Sequence, residues 1–188
     1  VLAGSVDLDV IAIVSDNGSD TIRIKSAGYP MDEINITELS VNADEKGQAA
    51  ALIRGVCAAF RNNGYKVGGF DAYTTSNVLK GSGLSSSAAF EVLVSNIVNG
   101  LYNENAVDAL TIAKYSQFAE REFFGKPCGL LDQMASSVGG FTFADFCDNS
   151  NPQVEKIELD IADSGCTLCV VDTGGNHADL TQDYADIT

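Results

Sequence analysis

The chain changes from a strand pattern to a helix pattern at Lys80-Gly81-Ser82-Gly83-Leu84-Ser85-Ser86-Ser87-Ala88-Ala89-Phe90-Glu91. A strand-like run over 69–78 precedes this stretch, and a run over 86–101 with apolar residues at helical spacing follows it. Gly81 and Gly83 permit positive φ angles and let a ligand approach the backbone. Because the first N–H groups of a helix are unpaired and carry partial positive charge, the junction predicts an anion site.

Two interpretations of this junction are open. A lone Gly-x-Gly is more often an ordinary turn in which a serine caps the helix. Three consecutive serines after Gly83-Leu84 favour anion binding instead. The stretch is not a Walker A loop, since no lysine follows Gly83, and it is not a dinucleotide fingerprint, since Ser86 replaces the third glycine.

The composition excludes several classes of partner. The 188 residues are 45% hydrophobic and 20% charged, which is typical of a folded domain. The formal net charge of −15 argues against nucleic acid and against an anionic membrane surface, because both require clustered Lys and Arg. It leaves open a small anionic ligand held by backbone N–H groups and a divalent cation.

Targeting and cysteine patterns predict a reduced cytoplasmic protein. No apolar run reaches the roughly 18 residues of a membrane span, and the N-terminus lacks the basic region of a signal peptide. Cys57 and Cys169 lie in apolar runs and are predicted to be small core residues. Cys166 and Cys169 have Cys-x-x-Cys spacing, but in a strand they would face opposite sides, so we expect no metal or redox site there.

The periodicity along the chain predicts strands and helices without regular alternation, and therefore an α+β fold. A hairpin turn is predicted at Asp16-Asn17-Gly18-Ser19, so that the run over 21–26 pairs back on the strand before the turn. Strands are predicted at 6–14, 21–26, 34–40, 69–78, 141–146, 155–159 and 167–172, and helices at 46–62, 86–101, 107–124, 130–138 and 179–187.

A second informative stretch is Glu120-Arg121-Glu122-Phe123-Phe124-Gly125-Lys126-Pro127-Cys128-Gly129-Leu130-Leu131-Asp132-Gln133. Taken alone, Glu120 and Glu122 would be solvated charges on a helix face. Asp132 alone would be an N-cap or first-turn acid of the next helix, worth about 0.5–2 kcal/mol. Its apolar neighbours leave a chemical role open.

Both stretches resemble motifs of the GHMP kinases, the family of galactokinase, homoserine kinase, mevalonate kinase and phosphomevalonate kinase. The first resembles the family's second motif, Pro-x-Gly-x-Gly-Leu-Ser-Ser-Ser-Ala, with Leu79 in place of proline. The second resembles the segment Ala-Glu-x-x-Phe-x-Gly-x-Pro-Cys-Gly-Ile-Met-Asp-Gln of the galactokinase branch. The resemblance extends over essentially the whole chain and implies the GHMP kinase N-terminal domain, of the ribosomal protein S5 domain 2-like fold.

This resemblance implies an ATP- and Mg²⁺-dependent kinase that phosphorylates the anomeric hydroxyl of galactose. Ser87 and Glu120 match the family's Mg²⁺ ligands. Asp132 matches the acid that orients or deprotonates the sugar hydroxyl, and Gly129 and Tyr184 match positions near the sugar. The residues that would wrap the nucleotide phosphates are Gly81, Ser82, Gly83, Leu84, Ser85, Ser86 and Ser87. The single histidine, His177, is expected to be structural.

By the same resemblance, residues 1–188 are expected to be one truncated N-terminal domain. The family's first motif should precede Val1, and its third motif and C-terminal domain should follow Thr188, so this chain alone is expected to have negligible turnover. Three alternatives stay open: an N-acetylgalactosamine or arabinose kinase, a sensor that binds galactose and ATP without turnover, and an α+β domain whose loop binds nothing.

Overall fold

The structure, a computed structural model, describes residues 1–78, 83–148, 151–159, 161, 163, 165–167 and 169–171. The strands are β1 (Leu2–Gly4), β2 (Val10–Asp16), β3 (Thr21–Ser26), β4 (Met31–Asn35), β5 (Phe70–Ser76), β6 (Phe141–Asp145) and β7 (Gln153–Ile157). The helices are α1 (Ala49–Asn62), α2 (Ser86–Asn103), α3 (Ala109–Phe118) and α4 (Leu131–Val138), with a 3₁₀ turn at Ala43–Glu45 and a π-helical turn at Ala119–Phe124.

The strands form two sheets. The first has four strands in the order β2-β5-β3-β4, and the second has three in the order β1-β6-β7. Every strand pair is antiparallel except β3 with β5. Mostly antiparallel sheets combined with grouped helices confirm the predicted α+β fold.

The predicted hairpin between β2 and β3 is wrong in its pairing. The turn exists, because Asp16 accepts a hydrogen bond from the Gly18 N–H at 2.8 Å. However, β5 lies between the two strands, antiparallel to β2 and parallel to β3. The Gly69 backbone, just before β5, forms hydrogen bonds with Asn17 and Ser19 in the turn. The strand β5 therefore occupies the position where β2 and β3 would have paired in a hairpin. Turn chemistry alone did not reveal this distant competitor.

Three other strand predictions require correction. The strand predicted at 6–14 begins later than expected, because β2 starts only at Val10 and residues 6–9 belong neither to it nor to β1, which ends at Gly4. The strand predicted at 34–40 is β4, which begins at Met31 and ends at Asn35. In the range 167–172, the described residues belong to no strand, and Val171 is 76% exposed. The helices predicted over 46–62, 86–101 and 130–138 are confirmed as α1, α2 and α4.

The helices pack against both sheets. One face of the four-stranded sheet meets α1 and α2 in a core built around Ile22, Ile24, Ile53, Phe60 and Val94. A second core joins α3 and α4 to the three-stranded sheet through Ala113, Met134 and Ala144. The elements α2, α3 and α4, which carry the predicted site, are therefore fixed by two cores.

The cysteine predictions are half right. Cys57 is buried as expected, but Cys169 is exposed. The strand that was expected to bury Cys169 is not formed by the described residues around it. Among the described residues, no helix is long and apolar enough to cross a membrane.

Candidate active site

Helix α2 begins in an unusual backbone conformation. Gly83 has φ of 79°, and Ser85, at the N-cap position, has φ of 58° and ψ of 47°. A left-handed conformation at a residue other than glycine costs about 1–3 kcal/mol and is enriched at ligand sites. The expected serine cap is absent at Ser85, since its side chain makes no cap hydrogen bond. The predicted loop residues Gly81 and Ser82 lie outside the described residues.

Ser87 and Glu120, the two predicted metal ligands, are in contact. They are 33 positions apart in the sequence, and the Ser87 hydroxyl donates a hydrogen bond of 2.9 Å to Glu120 Oε1. Ser87 lies in the first turn of α2, while Glu120 lies in the π-helical turn that continues α3. The structure therefore brings together two oxygen-bearing side chains at the positively polarised end of a helix.

The π-helical turn gives Glu120 its position. The sequence predicted an ordinary helix through 107–124, but α3 widens after Phe118. This turn packs against α1 at Gly55, where an added Cβ would lie 2.7 Å from the Cα of Ala119. Because no larger side chain fits at position 55, the close approach of α1 holds the turn in place. Such π-helical turns are frequent at functional sites.

Glu120 is not a solvated surface charge. It is 2% exposed, whereas Glu122 in the same turn is exposed. Its Oε1 also accepts from Lys126 Nζ at 3.2 Å, and its Oε2 accepts from Gln133 Nε2 at 2.6 Å. A buried carboxylate with hydrogen bonds on both oxygens is held in one orientation, as a metal ligand requires.

A second buried carboxyl lies beside Glu120. Glu91 is 0% exposed, and its Oε2 accepts from Gln133 Nε2 at 3.2 Å. Burial, reinforced by the Glu120 carboxylate, raises the pKa of Glu91 to about 9, so Glu91 is neutral at pH 7. Burial and the same carboxylate raise the pKa of the nearby Cys128 thiol to about 12. The Cys128 thiol is thus no nucleophile at neutral pH.

Asp132 lies at the edge of this cluster. It is the second residue of α4 and is exposed. Its neighbour Gln133 binds Glu120, so the backbone segment that carries Asp132 is tied to the turn that carries Glu120. Gly129, just before α4, is exposed, and a Cβ there would meet no atom within 4 Å.

Two predicted residues remain untested by the geometry. Tyr184, predicted near the sugar, and His177, predicted to be structural, lie outside the described residues. Among the described residues, no group of three or more His, Cys, Asp and Glu side chains is arranged to hold a metal. The oxygen donors of Ser87 and Glu120 suit Mg²⁺, which usually completes its shell with phosphate oxygens and water in kinase sites.

Sequence reasoning missed Glu91, Gln133 and Lys126. Glu91 lies beside the apolar positions of α2 and is 0% exposed, so the apolar periodicity of the helix does not distinguish it. One signal was available: Glu91 follows Ser87 by four positions, so both side chains lie on the same face of a helix. A polar side chain on a buried helix face requires a hydrogen-bond partner, and Gln133 is the partner of Glu91.

Comparison with known proteins identifies the family of this chain. Residues 51–140, which include Ser87, Glu120 and Asp132, match the family described as GHMP kinases N terminal domain. The chain contains a GHMP kinase N-terminal domain. Galactokinases from Streptomyces coelicolor and Pyrococcus furiosus are 33% and 31% identical to it, over 93% and 95% of this chain and 45% and 49% of their own lengths. The chain thus spans about half the length of these relatives.

The fold agrees as well. The crystal structure of Lactococcus lactis galactokinase complexed with galactose superimposes with a TM-score of 0.73. It is 22% identical, and the match covers 85% of this chain and 42% of that one. The architecture predicted from the two motifs, that of a GHMP kinase N-terminal domain, is therefore confirmed.

Proposed function

We propose that this GHMP kinase domain belongs to a galactokinase, which transfers the γ-phosphoryl group of Mg·ATP to the anomeric hydroxyl of galactose. The observation that carries the proposal is the hydrogen bond between Ser87 and Glu120, which joins the two predicted metal ligands at the start of α2. The naming of the relatives as galactokinases supports the choice of sugar.

Each predicted site residue that the structure describes can be given a role consistent with its surroundings. The N–H groups of the segment from Gly83 to Ser87 would bind nucleotide phosphates. This segment forms the positive end of α2, and two of its residues, Gly83 and Ser85, have positive φ. Ser87 and Glu120 would hold Mg²⁺, which neutralises charge on the transferred phosphoryl group. Asp132 would orient the sugar hydroxyl or accept its proton, and its exposure on α4 leaves it accessible.

The proposed anion site lies in a strongly acidic chain, which affects how ATP can bind. With a formal net charge of −15, the 188-residue chain repels a nucleoside triphosphate at long range. Helix polarity and the divalent cation would together have to overcome this repulsion at short range. We therefore propose that ATP binds only as its Mg²⁺ complex. The cytoplasmic location is a separate prediction from the sequence.

The proposal is tested by following ADP release from Mg·ATP with a panel of sugars. The relatives are about twice as long, so the assay uses the full-length protein that contains this chain, and the 188-residue chain alone is expected to be inactive. Release with galactose supports galactokinase, and release only with N-acetylgalactosamine or arabinose reassigns the substrate. Binding of Mg·ATP and galactose without ADP release would identify a sensor.

The role of Asp132 is tested with Asp132→Asn. The loss of its charge is expected to lower kcat by at least about 100-fold, within the usual range for acid–base catalysis. Asp145→Asn, at the exposed end of β6, is the matched control and should retain activity. A kcat within a few-fold of the unsubstituted protein would remove Asp132 from the chemistry.

A further inference from the structure

We infer that Gln133 is a positioning residue for the phosphoryl-transfer site, in which its amide holds the Glu120 carboxylate against Ser87 and is itself anchored by Glu91. This inference rests on the proposed function, because it concerns the same cation and nucleotide. It gives a role to two buried polar side chains, Gln133 and Glu91, that have none in the proposed mechanism.

The first step in the argument is the division of Glu120 between its two oxygens. Oε1 accepts from Ser87 at 2.9 Å and from Lys126 at 3.2 Å. Oε2 accepts from Gln133 Nε2 at 2.6 Å. Because the Gln133 contact fixes one oxygen, the other is directed at Ser87. If the Gln133 contact were removed, the Glu120 carboxylate could rotate about its last side-chain bond.

The second step is the anchoring of Gln133 itself. An amide NH₂ group has two protons, and Gln133 Nε2 donates to Glu120 at 2.6 Å and to Glu91 at 3.2 Å, with Cys128 Sγ a more distant acceptor at 3.9 Å. All three side chains are at most 2% exposed, so solvent cannot replace either contact. The bridge therefore ties α2, through Glu91, to the π-helical turn and to α4.

The third step is the cost of keeping this arrangement. Glu91 Oε1 and Gln133 Oε1 are buried without a hydrogen-bond partner. Leaving a buried polar atom unsatisfied costs about 1–3 kcal/mol. An apolar pair of similar volume would avoid that cost, so a purely structural role gives these two residues no advantage. A role in orienting Glu120 does.

The fourth step links Gln133 to the proposed acid. Gln133 follows Asp132 on the first turn of α4. One contact to Glu120 therefore sets the distance between the proposed metal ligand and the segment that carries the proposed acid. Partners that orient a metal ligand typically contribute 10–100-fold to metal affinity or activity. We expect losses of about that size.

The test compares Gln133→Met with two substitutions of Glu91 in the full-length protein. Gln133→Met keeps the side-chain length but removes the amide, and it is expected to weaken Mn²⁺ binding in the presence of a non-hydrolysable ATP analogue by about 10–100-fold. Electron paramagnetic resonance of free Mn²⁺ measures that affinity without turnover. The KM for Mg·ATP should rise in parallel, by a larger factor than kcat falls.

The Glu91 variants keep the inference testable if Gln133→Met fails to fold. Glu91→Gln retains an oxygen that accepts from Gln133, so it should bind Mn²⁺ as the unsubstituted protein does. Glu91→Leu removes the acceptor and should weaken binding. The matched control is Ser95→Ala, which deletes a buried hydroxyl one turn further along α2, where Ser95 contacts Ser116 and not Glu120.

The outcomes separate the inference from the proposed function. Unchanged Mn²⁺ affinity in both Gln133→Met and Glu91→Leu would overturn the positioning role while leaving the kinase intact. An equal loss in Ser95→Ala would also overturn it, since any buried polar deletion would then suffice. If the unsubstituted protein bound no Mn²⁺ with the ATP analogue and released no ADP, the proposed function itself would fail.

Discussion

Gly55 offers a sharp test of how the fold holds the site. A Cβ at position 55 would lie 2.7 Å from both the Cα and the Cβ of Ala119, and 3.0 Å from Cγ of Phe123. Carbon atoms normally rest about 3.5–4.0 Å apart, so Gly55→Ala requires α1 and the π-helical turn to separate by roughly 1 Å. A backbone atom is involved, and a flexible side chain cannot absorb the clash.

The expected loss of stability follows from two opposing contributions. Overpacking of a buried contact costs about 1–3 kcal/mol, and this contact belongs at the upper end. Replacing glycine by alanine inside a helix returns roughly 1 kcal/mol. The free energy of unfolding should therefore fall by about 2 kcal/mol, which with a urea slope of about 2 kcal/mol/M lowers the midpoint by about 1 M.

Gly100→Ala is the matched control, because it makes the same chemical change in α2. There the added Cβ would meet its nearest atom, Asn105 Oδ1, at an ordinary 3.5 Å on an exposed face. Its free energy of unfolding should increase by about 0.5–1 kcal/mol, and its urea midpoint should rise accordingly. Urea unfolding of both variants measures the difference. A Gly55→Ala protein as stable as Gly100→Ala would refute the packing argument.

The same substitution should affect function. Ala119 precedes Glu120, so a shift of roughly 1 Å in the turn would displace the carboxylate from Ser87. Misplacement of that size can cost about 100-fold in rate. The KM for Mg·ATP should rise in Gly55→Ala and stay unchanged in Gly100→Ala. Unchanged kinetics in both would mean that the turn adapts without moving Glu120.

Three further predictions concern charge and burial. Lys126→Met removes a cation 3.2 Å from Glu120 and should tighten Mn²⁺ binding several-fold, whereas weaker binding would assign Lys126 to the nucleotide. Because folding raises the pKa of Glu91 from 4.5 to about 9, the folded state loses stability as pH rises through this range. Glu91→Gln should therefore gain in unfolding free energy relative to the unsubstituted protein between pH 5 and pH 9, and parallel curves would refute this. Cys57, buried with a pKa raised to about 12, should react with a thiol reagent only on unfolding, while rapid labelling would contradict its burial. Three exposed cysteines should react at once in the folded protein: Cys147, Cys166 and Cys169.

The sequence predicted local elements well and strand pairing poorly. The helices over 46–62 and 86–101 were evident because each has an apolar stripe at helical spacing and a clear end. The pairing of β2 with β3 was wrong because the turn at Asp16–Ser19 is compatible with both a hairpin and an inserted strand. Only the long-range contact with β5 decided between them. The exposure of Cys169 was missed because an apolar neighbourhood in sequence does not guarantee a core in space.

By itself, the sequence supplied the residue types of the candidate site: a glycine- and serine-rich helix start, and the acids Glu120 and Asp132 in motifs that resemble those of one kinase family. These are local properties, fixed by residue type and spacing. Only the tertiary structure decided that Ser87 meets Glu120, that Glu120 is buried, and that Gln133 bridges it to Glu91. The reason is physical. Burial and contacts between residues 33 or 42 positions apart depend on how helices pack, and the close approach of α1 at Gly55 positions the turn that carries Glu120.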